Sequence, residues 1–316
     1  MKIVFLDEYS ICNQDVSRIK SMGEYIGYET TEPHEVLERV SDAEVIITNK
    51  VVLDAQTIAQ LPHLKLICVA ATGMNNVDLV AAAEHGVLVR NAIGYSTDSV
   101  AEATIGSALA LMREVTFYND FFHAGYYSSS KRIFNFDRPT AQIGGKRWGI
   151  IGMGNIGRRV AKLAEAFGCE VSYYSTSGIA RDESYNSVSL NELLTKSDIV
   201  SIHCPLNEKT LDLISEEQLS MMKRSAILIN VARGGIVNEA ALADALNNKV
   251  IRGAALDVFS SEPLRESPLY NLQDRYRLLA SPHNAWSSVE AISRLVECIA
   301  DNIESYSKER QAQITA

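Results

Sequence analysis

Lys146-Arg147-Trp148-Gly149-Ile150-Ile151-Gly152-Met153-Gly154-Asn155-Ile156-Gly157 decides how the rest of this chain is read. It has the pattern of a short apolar strand, a glycine turn and the first turn of a helix. Gly152, Gly154 and Gly157 fit G-x-G-x-x-G. In that pattern the first glycine permits a tight turn, the second lets a diphosphate approach the backbone, and the third lets helix and strand pack closely. The N–H groups of Asn155 and Ile156 open the helix and would face the phosphates, helped by the helix dipole. A glycine-rich turn alone is a weak signal, but the next eighteen or so residues strengthen it. Ile156, Val160, Leu163, Ala164 and Phe167 share one helical face, Gly168 can end the helix, and residues 169–174 read as the next strand. The unit predicts a dinucleotide site.

Working outward, apolar runs at residues 2–6, 44–48, 64–70 and 87–90 alternate with helical stretches. That alternation implies a parallel sheet covered on both faces, ending near residue 98. Residues 99–123 read as helix, with small residues for close packing, and 124–145 as a loop rich in Tyr, Ser and Gly. Beyond the glycine turn, strands are expected at 199–203, 226–230, 252–258 and 277–280. Ser189-x-x-Glu192 and Ser215-x-x-Gln218 have the spacing of capping boxes. About six strands with intervening helices make a doubly wound Rossmann sheet. Residues 287–310 form an amphipathic helix expected to return to the first unit. The predicted class is α/β, with a dinucleotide-binding domain over 99–282. A discontinuous, flavodoxin-like substrate domain would comprise 1–98 and 283–316.

The formal charge of −9 and the lack of a basic run argue against nucleic acid as a partner. Five scattered cysteines form no C-x-x-C pair and read as reduced packing residues of a cytoplasmic protein. No stretch is long enough to span a membrane, and the apolar run at the start is too short for a signal peptide. No metal site is expected.

Catalytic groups in such folds sit beyond the carboxyl ends of strands. Three stretches qualify: Val231-Ala232-Arg233-Gly234-Gly235, Phe259-Ser260-Ser261-Glu262-Pro263 and Ser281-Pro282-His283-Asn284. Hydride transfer to a ketone leaves negative charge on oxygen, so a protonated group must supply a proton. His283 suits that role. Glu262 paired with it would favour imidazolium and fix the ring. Arg233 offers a planar fork for a substrate carboxylate and the carbonyl oxygen.

These stretches resemble the D-2-hydroxyacid dehydrogenases, and the resemblance spans nearly the whole chain. It is carried by Ala71-Thr72-Gly73-Met74, Tyr95-Ser96-Thr97-Asp98, the glycine turn, His203-Cys204-Pro205-Leu206, Asn230-Val231-Ala232-Arg233-Gly234-Gly235, Asp257-Val258-Phe259, Glu262-Pro263 and Ser281-Pro282-His283. It implies Arg233 as substrate clamp, His283 as acid/base and Glu262 as its partner. It also implies that N–H groups at Thr72 and Gly73 bind the substrate carboxylate and that Asp257 meets the nicotinamide amide. Val231 and Pro205 would line the cofactor groove, with Thr104 a further contact. The branch it most resembles is glycerate dehydrogenase, or hydroxypyruvate reductase. That branch implies reduction of hydroxypyruvate or glyoxylate by a homodimer built on the region after Ser99. A phosphite dehydrogenase on the same scaffold and a dinucleotide-sensing co-repressor are the rivals.

The chain departs from that family where an Asp often ends the second cofactor-domain strand. Ser175-Thr176-Ser177-Gly178 stands there instead. An acidic residue at this place binds the ribose 2′-OH of NAD and repels a 2′-phosphate. Its loss, with Arg181 nearby in sequence, favours NADP over NAD as cofactor.

Overall fold

The structure is a computed structural model and describes residues 1–179 and 184–315. It divides into two compact units, one of Met1–Ser96 with the chain from Ser287, the other Thr97–Trp286.

In the first unit β1 (Lys2–Phe5), β2 (Glu24–Gly27), β3 (Val45–Thr48), β4 (Leu66–Val69) and β5 (Leu88–Asn91) form a five-stranded parallel sheet ordered β2-β1-β3-β4-β5. Parallel sheets are covered on both faces, so their central strands are continuous apolar runs. Val45-Ile46-Ile47-Thr48 and Leu66-Ile67-Cys68-Val69 are buried at every residue. The order is the flavodoxin-like one, reversing between β1 and β3. β2 has no such run. It is an edge strand without a fully buried residue, lying in a stretch expected to be helical. Just beyond β1, the buried carboxylate of Asp7 accepts N–H bonds from Asn49, Lys50 and Val51 at 2.8, 2.6 and 3.3 Å. Burial raises its pKa in opposition to those bonds. Asn49 in turn donates through Nδ2 to the Ala70 carbonyl at 2.7 Å, tying the carboxyl ends of β3 and β4 together.

The helix Val289–Thr315 belongs to this unit and runs past the anticipated residue 310. It buries Ile292, Leu295, Val296, Ile299 and Ile303. Arg18 reaches its Glu297, Asp301 and Glu304 at 2.6, 2.7 and 2.7 Å.

In the second unit β6 (Arg147–Ile151), β7 (Glu170–Tyr174), β8 (Asn186–Ser187), β9 (Ile199–Ile202), β10 (Ile227–Asn230), β11 (Gly253–Leu256) and β12 (Leu278–Ala280) form a seven-stranded parallel sheet. The order is β12-β11-β10-β9-β6-β7-β8, one strand more than anticipated. It is the Rossmann order, and it reverses between β6 and β9. One face packs Trp148, Ile150, Ile199 and Ile229 against the helices Thr97–Arg113 and Asn155–Ala166. The other packs Ile151, Val200, Ile202 and Leu228 against the helices Leu190–Lys196, Glu216–Met221 and Glu239–Asn247.

The helix expected over 99–123 is two helices. Glu114 adopts φ 53° between Thr97–Arg113 and Val115–His123. Its buried carboxylate accepts Arg138 Nε at 2.6 Å and an Arg252 guanidinium nitrogen at 2.9 Å, which holds the break in place. Within 124–145 a short helix, Tyr126–Ser129, interrupts the expected loop. Ser215 and Gln218 form a reciprocal capping box. Ser189 caps in one direction only, because the Glu192 carboxylate turns to Lys196 at 2.7 Å. Among the described residues, no helix is long and apolar enough to cross a membrane.

Candidate active site

The glycine turn lies at the carboxyl end of β6, beside the switch point where an α/β sheet opens a crevice. Gly152 has φ +95°, and a Cβ there would stand 2.8 Å from the backbone nitrogen of Cys204. Gly157 packs so closely that an added Cβ would overlap the Gly152 carbonyl oxygen. At Gly154, by contrast, among the described residues nothing beyond its own chain neighbours and helix backbone lies within 4 Å of the position a Cβ would take. Gly154 caps the twelve-residue helix Asn155–Ala166. The first N–H groups of a helix have no intrahelical acceptor, and Asn155 is exposed and Ile156 half-buried. Close packing at 157, a tight turn at 152 and open space at 154 are what a diphosphate on a helix start requires.

The other cofactor candidates lie beyond the neighbouring strands. Pro205 is exposed beyond β9, and Val231 is half-buried beyond β10. Beyond β7, Ser175 donates its hydroxyl to the Ile179 carbonyl at 3.0 Å and lies 3.1 Å from the Ser177 hydroxyl; Thr176 is half-buried beside it. Arg181 lies outside the described residues. Thr104 corrects an expectation. It is fully buried and donates its hydroxyl to the Val100 carbonyl at 2.7 Å within the helix Thr97–Arg113, so it presents no surface to a cofactor.

The acid/base pair is formed at the ends of β11 and β12. His283 Nδ1 lies 2.6 Å from Glu262 Oε2, with both side chains partly exposed. Glu262 Oε1 accepts the Phe259 N–H at 3.0 Å, which holds the carboxylate on its own loop. The Glu262–Pro263 peptide is cis. His283 adopts φ 53°, a strained conformation for a residue with a Cβ. Asp257 holds it there. The Asp257 carbonyl accepts the His283 N–H at 2.7 Å. Its buried carboxylate accepts the Ser281 hydroxyl at 2.6 Å and the N–H groups of Asn284 and Ala285 at 2.9 Å each. The role implied for Asp257 was a contact to nicotinamide; the structure shows it first as the clamp of the His283 turn. Ser281 shares that work; it stands in the Ser281-Pro282-His283 stretch quoted from the sequence, which assigned it no role.

The Arg233 turn is built similarly. Asn230, buried at the end of β10, donates Nδ2 to the Arg233 carbonyl at 2.9 Å and accepts the Ala232 N–H at 3.0 Å. Gly234 lies so close to the β11 loop that an added Cβ would overlap the Phe259 carbonyl oxygen. Arg233, Glu262 and His283 therefore rise from three loops at one sheet edge, and the first two loops are in direct contact. The Arg233 guanidinium has one bond, to the Ala232 carbonyl at 2.7 Å. Its remaining donors and His283 Nε2 meet no partner among the described residues.

In the first unit, Thr72 is exposed and Gly73 half-buried in the turn after β4. A cavity of about 660 Å³ in this unit lies elsewhere, at the amino ends of the strands beside Lys2, Glu44 and Lys65. It lies at the opposite end of the sheet from the turn after β4, and two of its carboxylates, Asp42 and Glu44, are paired with Lys2 and Arg310. Among the described residues, no group of three or more His, Cys, Asp or Glu could hold a metal ion.

The family profile described as D-isomer specific 2-hydroxyacid dehydrogenase, NAD binding domain, matches residues 105–285. A glycerate dehydrogenase of Methylorubrum extorquens is 41% identical over 306 residues, covering 96% of each chain. A hydroxypyruvate reductase of Blautia hydrogenotrophica is 34% identical, covering 98% of this chain and 97% of its own. The crystal structure of the TT0316 protein from Thermus thermophilus superimposes with a TM-score of 0.88 at 31% identity, covering 98% and 97%. The chain belongs to the D-isomer specific 2-hydroxyacid dehydrogenase family. It is an oxidoreductase that acts on CH–OH groups with a nicotinamide dinucleotide.

Proposed function

We propose that this enzyme reduces a small 2-oxo acid, hydroxypyruvate or glyoxylate, to D-glycerate or glycolate. The observation that carries the reading is the 2.6 Å pair of His283 Nδ1 with Glu262 Oε2, which leaves Nε2 as the outward proton donor. A bound reduced nicotinamide supplies a hydride to the substrate carbonyl carbon. The residues of the chain do the rest. His283 gives its Nε2 proton to the carbonyl oxygen as charge develops there, and Glu262 stabilises the imidazolium before transfer. Arg233 binds the carboxylate and carbonyl oxygen with its free donors. Thr72 and Gly73 offer N–H groups to the carboxylate. Relatives that bear the glycerate dehydrogenase and hydroxypyruvate reductase names support this substrate class.

For the cofactor we propose that NADP is used well and preferred to NAD. The support is the hydroxyl-rich end of β7, where Ser175 and Thr176 stand in place of a carboxylate. Gly152, Gly154, Asn155, Ile156 and Gly157 would hold the diphosphate, Pro205 and Val231 the groove, and Asp257 the nicotinamide amide through its remaining lone pair. We further propose a cytoplasmic homodimer. All five cysteines are free, which suits a reducing compartment. Phe122, Ile133, Phe134 and Phe136 are 61–84% exposed in one segment, which suits a partner surface.

The test is turnover of hydroxypyruvate, glyoxylate and phosphite with NADH and NADPH. Turnover of phosphite alone would overturn the substrate reading. Ser175→Asp should lower the NADPH specificity constant at least about tenfold while sparing NADH, because it puts a charge against the 2′-phosphate. An equal effect on both cofactors would refute the cofactor reading.

A further inference from the structure

The turn after β4 is held by β5 in an unusual way. Ala92 N–H donates to the Ala71 carbonyl at 3.1 Å, and Asn91 Nδ2 donates to the Thr72 carbonyl at 2.7 Å. Two successive carbonyls thus face the same neighbour. In an extended strand they would alternate sides. A trans peptide group is planar, with its carbonyl and N–H pointing in opposite directions. Holding the Ala71 carbonyl toward β5 therefore turns the Thr72 N–H away from it. Holding the Thr72 carbonyl does the same to the Gly73 N–H. Neither N–H meets an acceptor among the described residues. Successive N–H groups aimed to one side make a concavity suited to an anion.

Every other tie around the turn stops short of the peptide that carries the Gly73 N–H. The Thr72 hydroxyl donates to the Ala92 carbonyl at 3.1 Å. Asn49 reaches only Ala70. Asn302, on the helix Val289–Thr315, donates to the Asn91 carbonyl at 3.1 Å, and Arg90 holds the Asn302 carbonyl at 3.0 Å. These bonds hold Asn91 in place, and among the described residues Asn91 alone grips the Thr72–Gly73 peptide. We propose that Asn91 is a positioning residue for substrate binding. It sets the direction of the Gly73 N–H and so the affinity for the substrate carboxylate. This inference rests on the assignment of Thr72 and Gly73 to that carboxylate.

The experiment uses the full chain. Asn91→Asp is nearly isosteric but presents lone pairs to the Thr72 carbonyl, and Asn91→Leu removes the donor without adding charge. Both should raise the KM for hydroxypyruvate and the inhibition constant of oxamate about tenfold or more, the loss of a hydrogen bond to a charged group. Turnover at saturation should change less than about threefold, and NADH binding, read by fluorescence, should be unchanged. Gly73→Pro deletes the N–H itself and should have at least the same effect on KM. If Gly73→Pro raises KM and both Asn91 variants do not, Asn91 is not the positioning residue and the carboxylate assignment stands. If only Asn91→Asp raises KM, the effect is charge repulsion and the inference is overturned. Lowered melting temperatures with unchanged KM and oxamate binding would reduce Asn91 to a structural role. If none of the three variants changes KM, the carboxylate assignment itself fails.

Discussion

A single methyl group added at Gly157 or at Gly154 should separate the two demands that the glycine turn meets. At Gly157 an added Cβ overlaps the Gly152 carbonyl oxygen and stands 3.3 Å from Ile150 Cγ2. Alanine gains about 1 kcal/mol in helix propensity over glycine. Against that, the helix Asn155–Ala166 must lift off β6, and overpacking costs about 1–3 kcal/mol. The overlapped atom is backbone of the tight turn, so it cannot swing aside and the cost lies at or above the upper end. The net loss is about 2 kcal/mol, or about 4–8 °C in Tm for a unit of this size. At Gly154 the backbone, with φ −86° and ψ −164°, suits any L residue, and the space around the new methyl is empty. Stability there should change by no more than about 1 kcal/mol, the effect of replacing a glycine cap. The methyl would instead stand where the diphosphate approaches, and Kd for NADH and NADPH should rise about tenfold or more as N–H contacts to phosphate lengthen. Thermal unfolding by circular dichroism and fluorescence titration with each dinucleotide measure the two effects. Gly154→Ala that binds dinucleotide normally, or Gly157→Ala that melts as the parent does, would refute the reasoning.

Three further outcomes can be checked. Arg233→Lys keeps the charge but loses the planar fork, so kcat/KM for 2-oxo acids should fall at least about tenfold with the fold intact; a fall in Tm alone would make Arg233 a structural ion-pair residue. Glu262→Gln preserves the shape of the His283 contact but removes its anion, so turnover should fall about tenfold, while His283→Ala should cost about 100-fold or more with dinucleotide binding retained; wild-type rates in either would remove the pair from the chemistry. The third concerns His203, which is half-buried as a residue, but its Nδ1 is covered and meets no partner among the described residues, and Nε2 lies 3.0 Å from the Ser201 hydroxyl. Burial pushes its pKa down to about 3, so the folded chain keeps it neutral while the unfolded chain protonates it below about pH 6.5. Its stabilisation is complete above pH 6.5 and is lost toward pH 3, at about 1.4 kcal/mol per unit of pH. Denaturation from pH 7 to 4 should show a steeper loss for the parent than for His203→Gln, and parallel curves would exclude this account.

The central strands were legible because burial on both faces leaves no polar residue to interrupt them, as in Val45-Ile46-Ile47 and Ile227-Leu228-Ile229. β2 was missed because an edge strand needs only one covered side, and β8 because two residues carry no period. The loops of Arg233, Glu262 and His283 stood out because each comes directly after such a strand. What sequence could not show were polar contacts made across long separations. Glu114 breaks its helix through Arg138 and Arg252, 24 and 138 residues away. Asn91 and Ser281 are single polar residues at strand ends, whose partners Thr72 and Asp257 lie 19 and 24 residues back. The Thr104 contact came from the family resemblance alone, whereas the small residues around it in the sequence already pointed to the close helix packing in which the structure buries it.

The first unit is made from the two ends of the chain, with Arg18 bridging to carboxylates as many as 286 residues away. On the ribosome this imposes an order of events. The 190 residues from Thr97 to Trp286 are contiguous and can fold as they emerge. The sheet of β1 to β5 is synthesised before that stretch, yet the helix that carries the buried Ile292, Leu295 and Ile299 does not exist until the chain beyond Trp286 has been made. At about 5–20 residues per second, the nascent sheet waits roughly 10–40 s with one apolar face uncovered. During that interval the first unit exposes apolar surface, and a premature stop near residue 286 would injure that unit more than the contiguous second one.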